Sequence, residues 1–143
     1  MRHDSRLSRM LHVLIHMASE DTAITSEQIG RMLGTNAAVV RRTMAGMREA
    51  GLVVSGRGPG GGWRLNRPLA EITLAQVYEA IDSPALFALG FSNAEPECLV
   101  EQEVNQALER TLAEARERLL RRFAEIRLSD ILEGFDKRVA ALR

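Results

Sequence analysis

Three features of this chain could do chemistry: a glycine–arginine stretch, a lone cysteine and a pair of histidines. RGPGGGWRL runs over residues 57–65, and with Gly56 in front it reads GRGPGG, a match to the loose pattern G-x-G-x-x-G. In a dinucleotide-binding loop that pattern follows a strand and opens directly into a helix, whose N-terminus takes the phosphates. Here Pro59 stands inside the loop, the β-prone run Trp63-Arg64-Leu65 follows it, and there is no Gly-Lys-Ser/Thr. The stretch therefore predicts a tight turn between two strands rather than a cradle for the phosphates of a nucleotide.

Cys98 is the single cysteine among 143 residues. One thiol excludes an intrachain disulfide and any metal site that needs several thiolates from one chain. It fits a reducing compartment, and the sequence predicts a cytoplasmic protein. As a sensor, the thiolate would be oxidised or would join the same residue of a second copy. The carboxylates of Glu95, Glu97 and Glu101 would raise its pKa, and a helix N-terminus would lower it. The competing reading is a small hydrophobe buried near a dimer interface.

His12 and His16 lie four apart, a helical spacing that can hold a metal, with Cys98 of a second copy as a third donor. The plainer reading is two partly buried polar residues beside an apolar stripe. The predicted cofactor set is empty. No Ser-His-Asp arrangement or paired carboxylates occur, and all three histidines fall in the first sixteen residues, so no catalytic centre is expected.

These residues need elements to hold them. Leu7, Met10, Leu11, Leu14 and Met17 recur at helical spacing after Ser5, a candidate cap. Thr25 and Gln28 make a capping-box pair for a short helix that Gly34 stops. Asn36 caps a third helix, AAVVRRTMAGMREA, closed by Gly51. Two helices joined by Gly-Thr-Asn read as a helix-turn-helix. On the third helix Ala38, Arg41, Arg42, Ala45 and Arg48 share a face opposite Val40, Met44 and Met47, and small residues beside arginines suit a DNA groove. A solvated basic face would look the same. Residues 52–54 and 63–65 predict a β-hairpin wing.

Thr73 and Gln76 cap a further helix that Ser83-Pro84 ends. A long charged helix is expected over 97–128, with Val104, Leu108, Leu112, Ala115, Leu119, Phe123 and Ile126 in a nearly coiled-coil stripe. A small winged helix cannot cover such a length, but a second copy can. Ser129 is a candidate cap for a last short helix. No segment reads as a membrane span. The expected class is mainly α: a winged helix-turn-helix domain (1–82), a connector (83–97) and a long dimerisation helix with a short final helix (98–143). Net charge is zero, but residues 1–67 hold ten arginines against five carboxylates and the remainder reverses that excess. Such asymmetry points to a polyanion meeting the N-terminal half.

The sequence TSEQIGRMLGTNAAVVRRTMAGMREAGLV, then RGPGGGWRL, ITLAQVYEAID and a cysteine leading into a long helix, resembles the Rrf2 family of bacterial transcriptional regulators over nearly the whole chain. The wing with RGPGGG before an aromatic residue, Trp63 here and often tyrosine, is its most specific part. The resemblance implies a homodimeric winged-helix repressor or activator on a partly palindromic operator. By position it assigns DNA contacts to Asn36, Ala37, Ala38, Arg41 and Arg42 of the recognition helix. In the wing it assigns Arg57, reaching a minor groove whose potential favours arginine, Gly60 and Gly61. Arg64 is either a phosphate contact or an ordinary exposed charge. Some members bind an iron–sulfur cluster through three cysteines, and with Cys98 alone this chain looks like the single-cysteine group, without a cluster. A helix-1 residue of the partner supplies a cluster ligand in some members, and His12 lies in a comparable region. The expected partners are double-stranded DNA, a second copy and an oxidant or small-molecule effector, and the expected role is repression. The alternatives are an adapter that docks a protein through its winged helix and a nucleotide-dependent enzyme.

Overall fold

In the computed structural model, which describes residues 3–58 and 61–143, α1 (Arg6–Ala18) buries Met10, Val13, Leu14 and Met17 along one face. Ser5 holds the N-cap position, but contrary to expectation its hydroxyl makes no capping bond. The Asp4 carboxylate takes that role instead, accepting the Arg6 N–H at 3.0 Å and its guanidinium at 2.7 Å. The guanidinium bond first, and then the backbone one, hold the Asp4 carboxyl at a pKa of about 2. Arg6 also donates to the Ile81 carbonyl, tying the start of α1 to a distant turn.

The helix-turn-helix forms as its caps dictate. At the start of α2 (Ser26–Leu33), Thr25 Oγ1 accepts the Gln28 N–H and Gln28 Oε1 accepts the Thr25 N–H. Gly34 ends α2 at φ 67°, a left-handed conformation that glycine adopts without strain. Asn36 Oδ1 then accepts the Val39 N–H at 3.0 Å and opens α3 (Ala37–Glu49). Gly51, at φ 76°, closes it, with the Leu52 N–H bonded back to the Met47 carbonyl. Leu52 is thereby spent on the helix end and fully buried, so β1 is Val53–Ser55 rather than 52–54.

β2 (Trp63–Leu65) pairs antiparallel with β1 in the register Val53↔Leu65, Val54↔Arg64 and Ser55↔Trp63. Trp63 bonds on its other side to Ile24, in the loop before α2, through both backbone groups. A 3-10 turn (Leu69–Glu71) leads to α4 (Leu74–Ala80), where Thr73 and Gln76 form the expected capping box. Asp82 and Ser83 take left-handed φ values of 66° and 44° before Pro84.

α5 (Leu99–Glu125) stops short of the expected 128, for a reason in the packing. Ile126 and Arg127 turn extended and pair with the segment entering α4: the Leu74 N–H donates to the Ile126 carbonyl and the Leu128 N–H to that of Ile72. α6 (Leu128–Ala141) therefore starts at Leu128, which is wholly buried, and not after Ser129. Its entry is fixed by the Asp130 carboxylate, which accepts the Arg127 N–H at 2.9 Å. Leu128 joins Leu14, Ile29, Met44, Met47, Leu52, Ile72 and Val77 in one core. Burying one such leucine stabilises by about 1.5–3 kcal/mol, which anchors the far end of α5 to the winged helix. The architecture is mainly α, a helix-turn-helix with a two-stranded wing and a long helix leading away from it.

Candidate nucleic-acid interface

α3 buries Val40, Met44 and Met47 against the core, so helical geometry turns Ala38, Arg41 and Arg42 outward. All three are exposed, and Ala37 is half-buried at the first turn. Asn36 has a structural task, since its side-chain oxygen caps the helix. Arg48, although on the same helix, is drawn away from that face. Its guanidinium lies 5.7 Å from the Trp63 ring centroid and donates to Ser55 Oγ at 3.1 Å. It joins the end of the helix to the wing.

The wing carries Arg57, exposed beyond the end of β1. Gly60 lies outside the described residues. Gly61 and Gly56 face each other across the wing: a Cβ on Gly56 would stand 2.5 Å from the Gly61 carbonyl oxygen, and one on Gly61 2.7 Å from Gly56 backbone atoms. Both distances are below any normal contact, so these two glycines are demanded by the approach of the wing's own arms, whatever they also allow toward a phosphate. Arg64 is exposed on β2, and its Nη1 donates to the Asp21 carbonyl at 3.2 Å, which holds it against the loop before α2.

Trp63 fixes the wing to the helices. It is 7% exposed, and its indole N–H donates to Ser26 Oγ at 2.9 Å in the first turn of α2. Neither Ser26 nor Arg48 was legible as a wing contact. The available signal was the tryptophan itself, because a buried indole N–H needs an acceptor. The recognition face, the first turn of α2 and the wing thus border one shallow cleft of about 310 Å³, lined by Glu27, Arg41, Ser55, Gly56, Gly61 and Trp63 among others.

A helix whose exposed face is small residues and arginine, braced beside an arginine-tipped hairpin, is the geometry of a winged-helix regulator. A family profile described as "Rrf2: Iron-dependent Transcriptional regulator" matches residues 3–134. The chain belongs to the Rrf2 family of transcriptional regulators. It is 31% identical to YwnA of Bacillus subtilis (strain 168) over 130 residues, covering 90% of this chain and 96% of that one. It is 34% identical to the HTH-type transcriptional regulator IscR of Photobacterium profundum over 76 residues, 53% of this chain but only 43% of that longer protein. The fold matches the structure of CymR, the global cysteine regulator of B. subtilis, with a TM-score of 0.66 at 18% identity, covering 94% and 98% of the two chains. These relatives are regulators, not enzymes, and the nucleotide-enzyme alternative is set aside.

An iron–sulfur cluster takes thiolates, with histidine as the usual substitute, and one chain offers only Cys98. Among the described residues no group of three histidine, cysteine or acidic side chains could hold a metal ion. The His12 and His16 rings stand 4.7 Å apart and line an apolar hollow of about 700 Å³ with Leu11, Ile15, Phe123 and Phe135.

Within the single chain Cys98 is exposed at the N-cap of α5. Of the two opposed influences on its thiol, the helix N-terminus wins. The Glu101 N–H, and then that of Val100, point at the sulfur and push its pKa below the usual thiol value. Alkylation of Cys98 by iodoacetamide, followed against pH, is expected to reach half its plateau rate at lower pH in the folded protein than in urea. A midpoint equal to or above that of the unfolded chain contradicts the placement of the sulfur at the helix end.

Proposed function

We propose that this protein is a cytoplasmic, homodimeric repressor that binds a partly palindromic operator, and that a redox or small-molecule signal near Cys98 alters its grip. The observation that carries the reading is the exposed row Ala38, Arg41 and Arg42 on α3 beside Arg57 of the wing. The helix suits a major groove, where arginine meets guanine edges, and the wing suits the neighbouring minor groove. Asn36 and Ala37 lie at the entry of the same helix, while Gly60, Gly61 and Arg64 belong to or flank the wing.

The bare face of α5 supports a dimer. The helix buries no residue, and Leu99, Val100, Val104 and Leu108 are between 40% and 75% exposed. A dimer on one promoter represses by occupying it, with no need of a further contact to the transcription machinery. An exposed thiol with a lowered pKa next to that face supports an oxidant as one signal, and the apolar hollow beside α1 supports a small molecule as another. No cofactor enters this proposal. Among the described residues no helix is long and apolar enough to cross a membrane.

Footprinting of the purified protein on genomic DNA, with and without peroxide, tests the reading. Protected sites with two-fold symmetry that fade on oxidation are expected, and Cys98→Ser should abolish the fading. Symmetric sites indifferent to oxidant would remove the redox signal, and no protected sites would remove the repressor. Arg57→Ala is expected to weaken operator binding and to lower the log–log salt slope by about one for each phosphate that the wing no longer neutralises, with the dimer intact. Unchanged anisotropy titrations would take the wing out of the interface.

A further inference from the structure

Glu27 and Arg41 come from different helices and meet at the mouth of the cleft beside the recognition face. Glu27 stands in the first turn of α2, Arg41 in the second turn of α3, and Arg41 Nη2 donates to Glu27 Oε1 at 2.7 Å. Each side chain is 57% exposed, and an ion pair so open to water contributes little to stability. A carboxylate is also an unfavourable group to bring toward phosphates. Its position in the first turn of α2 suits the helix dipole, but neither that modest gain nor bulk attraction to DNA accounts for its contact with Arg41.

We propose that Glu27 is a specificity-determining positioning residue, holding one edge of the Arg41 guanidinium so that the free edge meets a base. This rests on the DNA-binding reading above. Guanidinium has five donors in a rigid fork, so binding a carboxylate on one side leaves others directed outward. An untethered Arg41 swings to the nearest phosphate, a contact that adds affinity but carries no sequence information. A tethered one is kept for the guanine edge, where bidentate bonding discriminates among bases. The negative charge of Glu27 works in the same direction, because it lowers affinity for any phosphate nearby. Glu27 thus exchanges affinity for selectivity.

The test selects binding sites from a random duplex library with the full-length wild type, Glu27→Gln, Arg41→Ala and the double variant. Glutamine keeps the size of the side chain and an acceptor oxygen but removes the charge, so the fold is retained. Glu27→Gln is expected to bind random-sequence duplex several-fold more tightly than the wild type, with a salt slope steeper by about one per protomer. Its base preference should fall about tenfold at one position in each half-site, the same position that Arg41→Ala loses, and stay unchanged elsewhere. The double variant should match Arg41→Ala in base preference at every position, because Glu27 sets selectivity through Arg41. If Glu27→Gln selects the wild-type site with the same preference at every position, or loses preference evenly across the site, the inference is overturned and DNA binding stands. If the wild type selects no sequence at all, the DNA-binding reading fails and takes the inference with it.

Discussion

Trp63→Ala is expected to lower the melting temperature by about 12 °C, because it removes a bulky side chain that three elements are built against. Deleting a buried tryptophan side chain costs about 3–5 kcal/mol, and for a chain of this size each kcal/mol moves the midpoint by roughly 3 °C. The ring is 7% exposed and lies between the wing, the first turn of α2 and the Arg48 guanidinium. Its loss also leaves Ser26 Oγ without its donor at a residue only 7% exposed. Two milder substitutions separate packing from hydrogen bonding. Trp63→Phe keeps most of the apolar contact, and Ser26→Ala leaves the indole N–H unpaired, each costing about 1–3 kcal/mol. Calorimetry at one fixed protein concentration checks the order, with Trp63→Ala falling furthest. A drop below about 3 °C for Trp63→Ala would mean that the wing is not held through this residue. Below the melting transition the same variant should bind DNA less tightly, since a loosened wing no longer presents Arg57 at a fixed distance from α3.

The fold was legible where local chemistry decides it. Thr25 with Gln28, Thr73 with Gln76, Asn36, Gly34 and Gly51 each state a helix boundary in a few neighbouring residues, and the structure uses each in that way. The failures lie where a distant partner decides. Ser129 is a sound cap by type, but Leu128 is drawn into the core and Arg127 pairs with Thr73, so α6 begins earlier. Arg48 shares a face with Arg41 by helical spacing, but the ring of Trp63 takes it. For Cys98, the sequence set the repulsion of neighbouring carboxylates against the attraction of a helix end. Only the placement of the sulfur over two backbone N–H groups decides between them. The recognition face needed nothing distant, because burial of Val40, Met44 and Met47 on one side leaves a single side for the arginines. The Glu27–Arg41 contact joins residues fourteen apart across the turn, beyond the reach of any periodicity.

Val104→Glu with Leu108→Glu is expected to yield a monomer whose affinity for a two-half-site operator falls by at least about a hundredfold. The apolar stripe of α5 is divided between two uses. Toward its end Phe123 packs edge-on against Tyr78 of α4, at 5.9 Å between ring centroids. Toward its start Leu99, Val100, Val104 and Leu108 are left largely open to solvent within the chain. At about 1.5 Å per residue its 27 residues span roughly 40 Å, and the bare part lies at the end remote from the Phe123–Tyr78 contact. Because Val104 and Leu108 are 51% and 40% exposed within one chain, replacing them removes little packing from the protomer, and helical circular dichroism should survive. Two carboxylates on each copy would instead face their counterparts across the seam and disfavour association. Linking two DNA-binding modules raises apparent affinity by about 10²–10⁴ through effective concentration alone, and a monomer forfeits that factor. It also touches one half-site instead of two, so its salt slope should fall to about half that of the dimer. Sedimentation velocity and anisotropy on the same samples check both parts. A variant that still sediments as a dimer would place the interface elsewhere on the chain. One that is monomeric yet binds as tightly as the wild type would show that operator binding needs only a single copy.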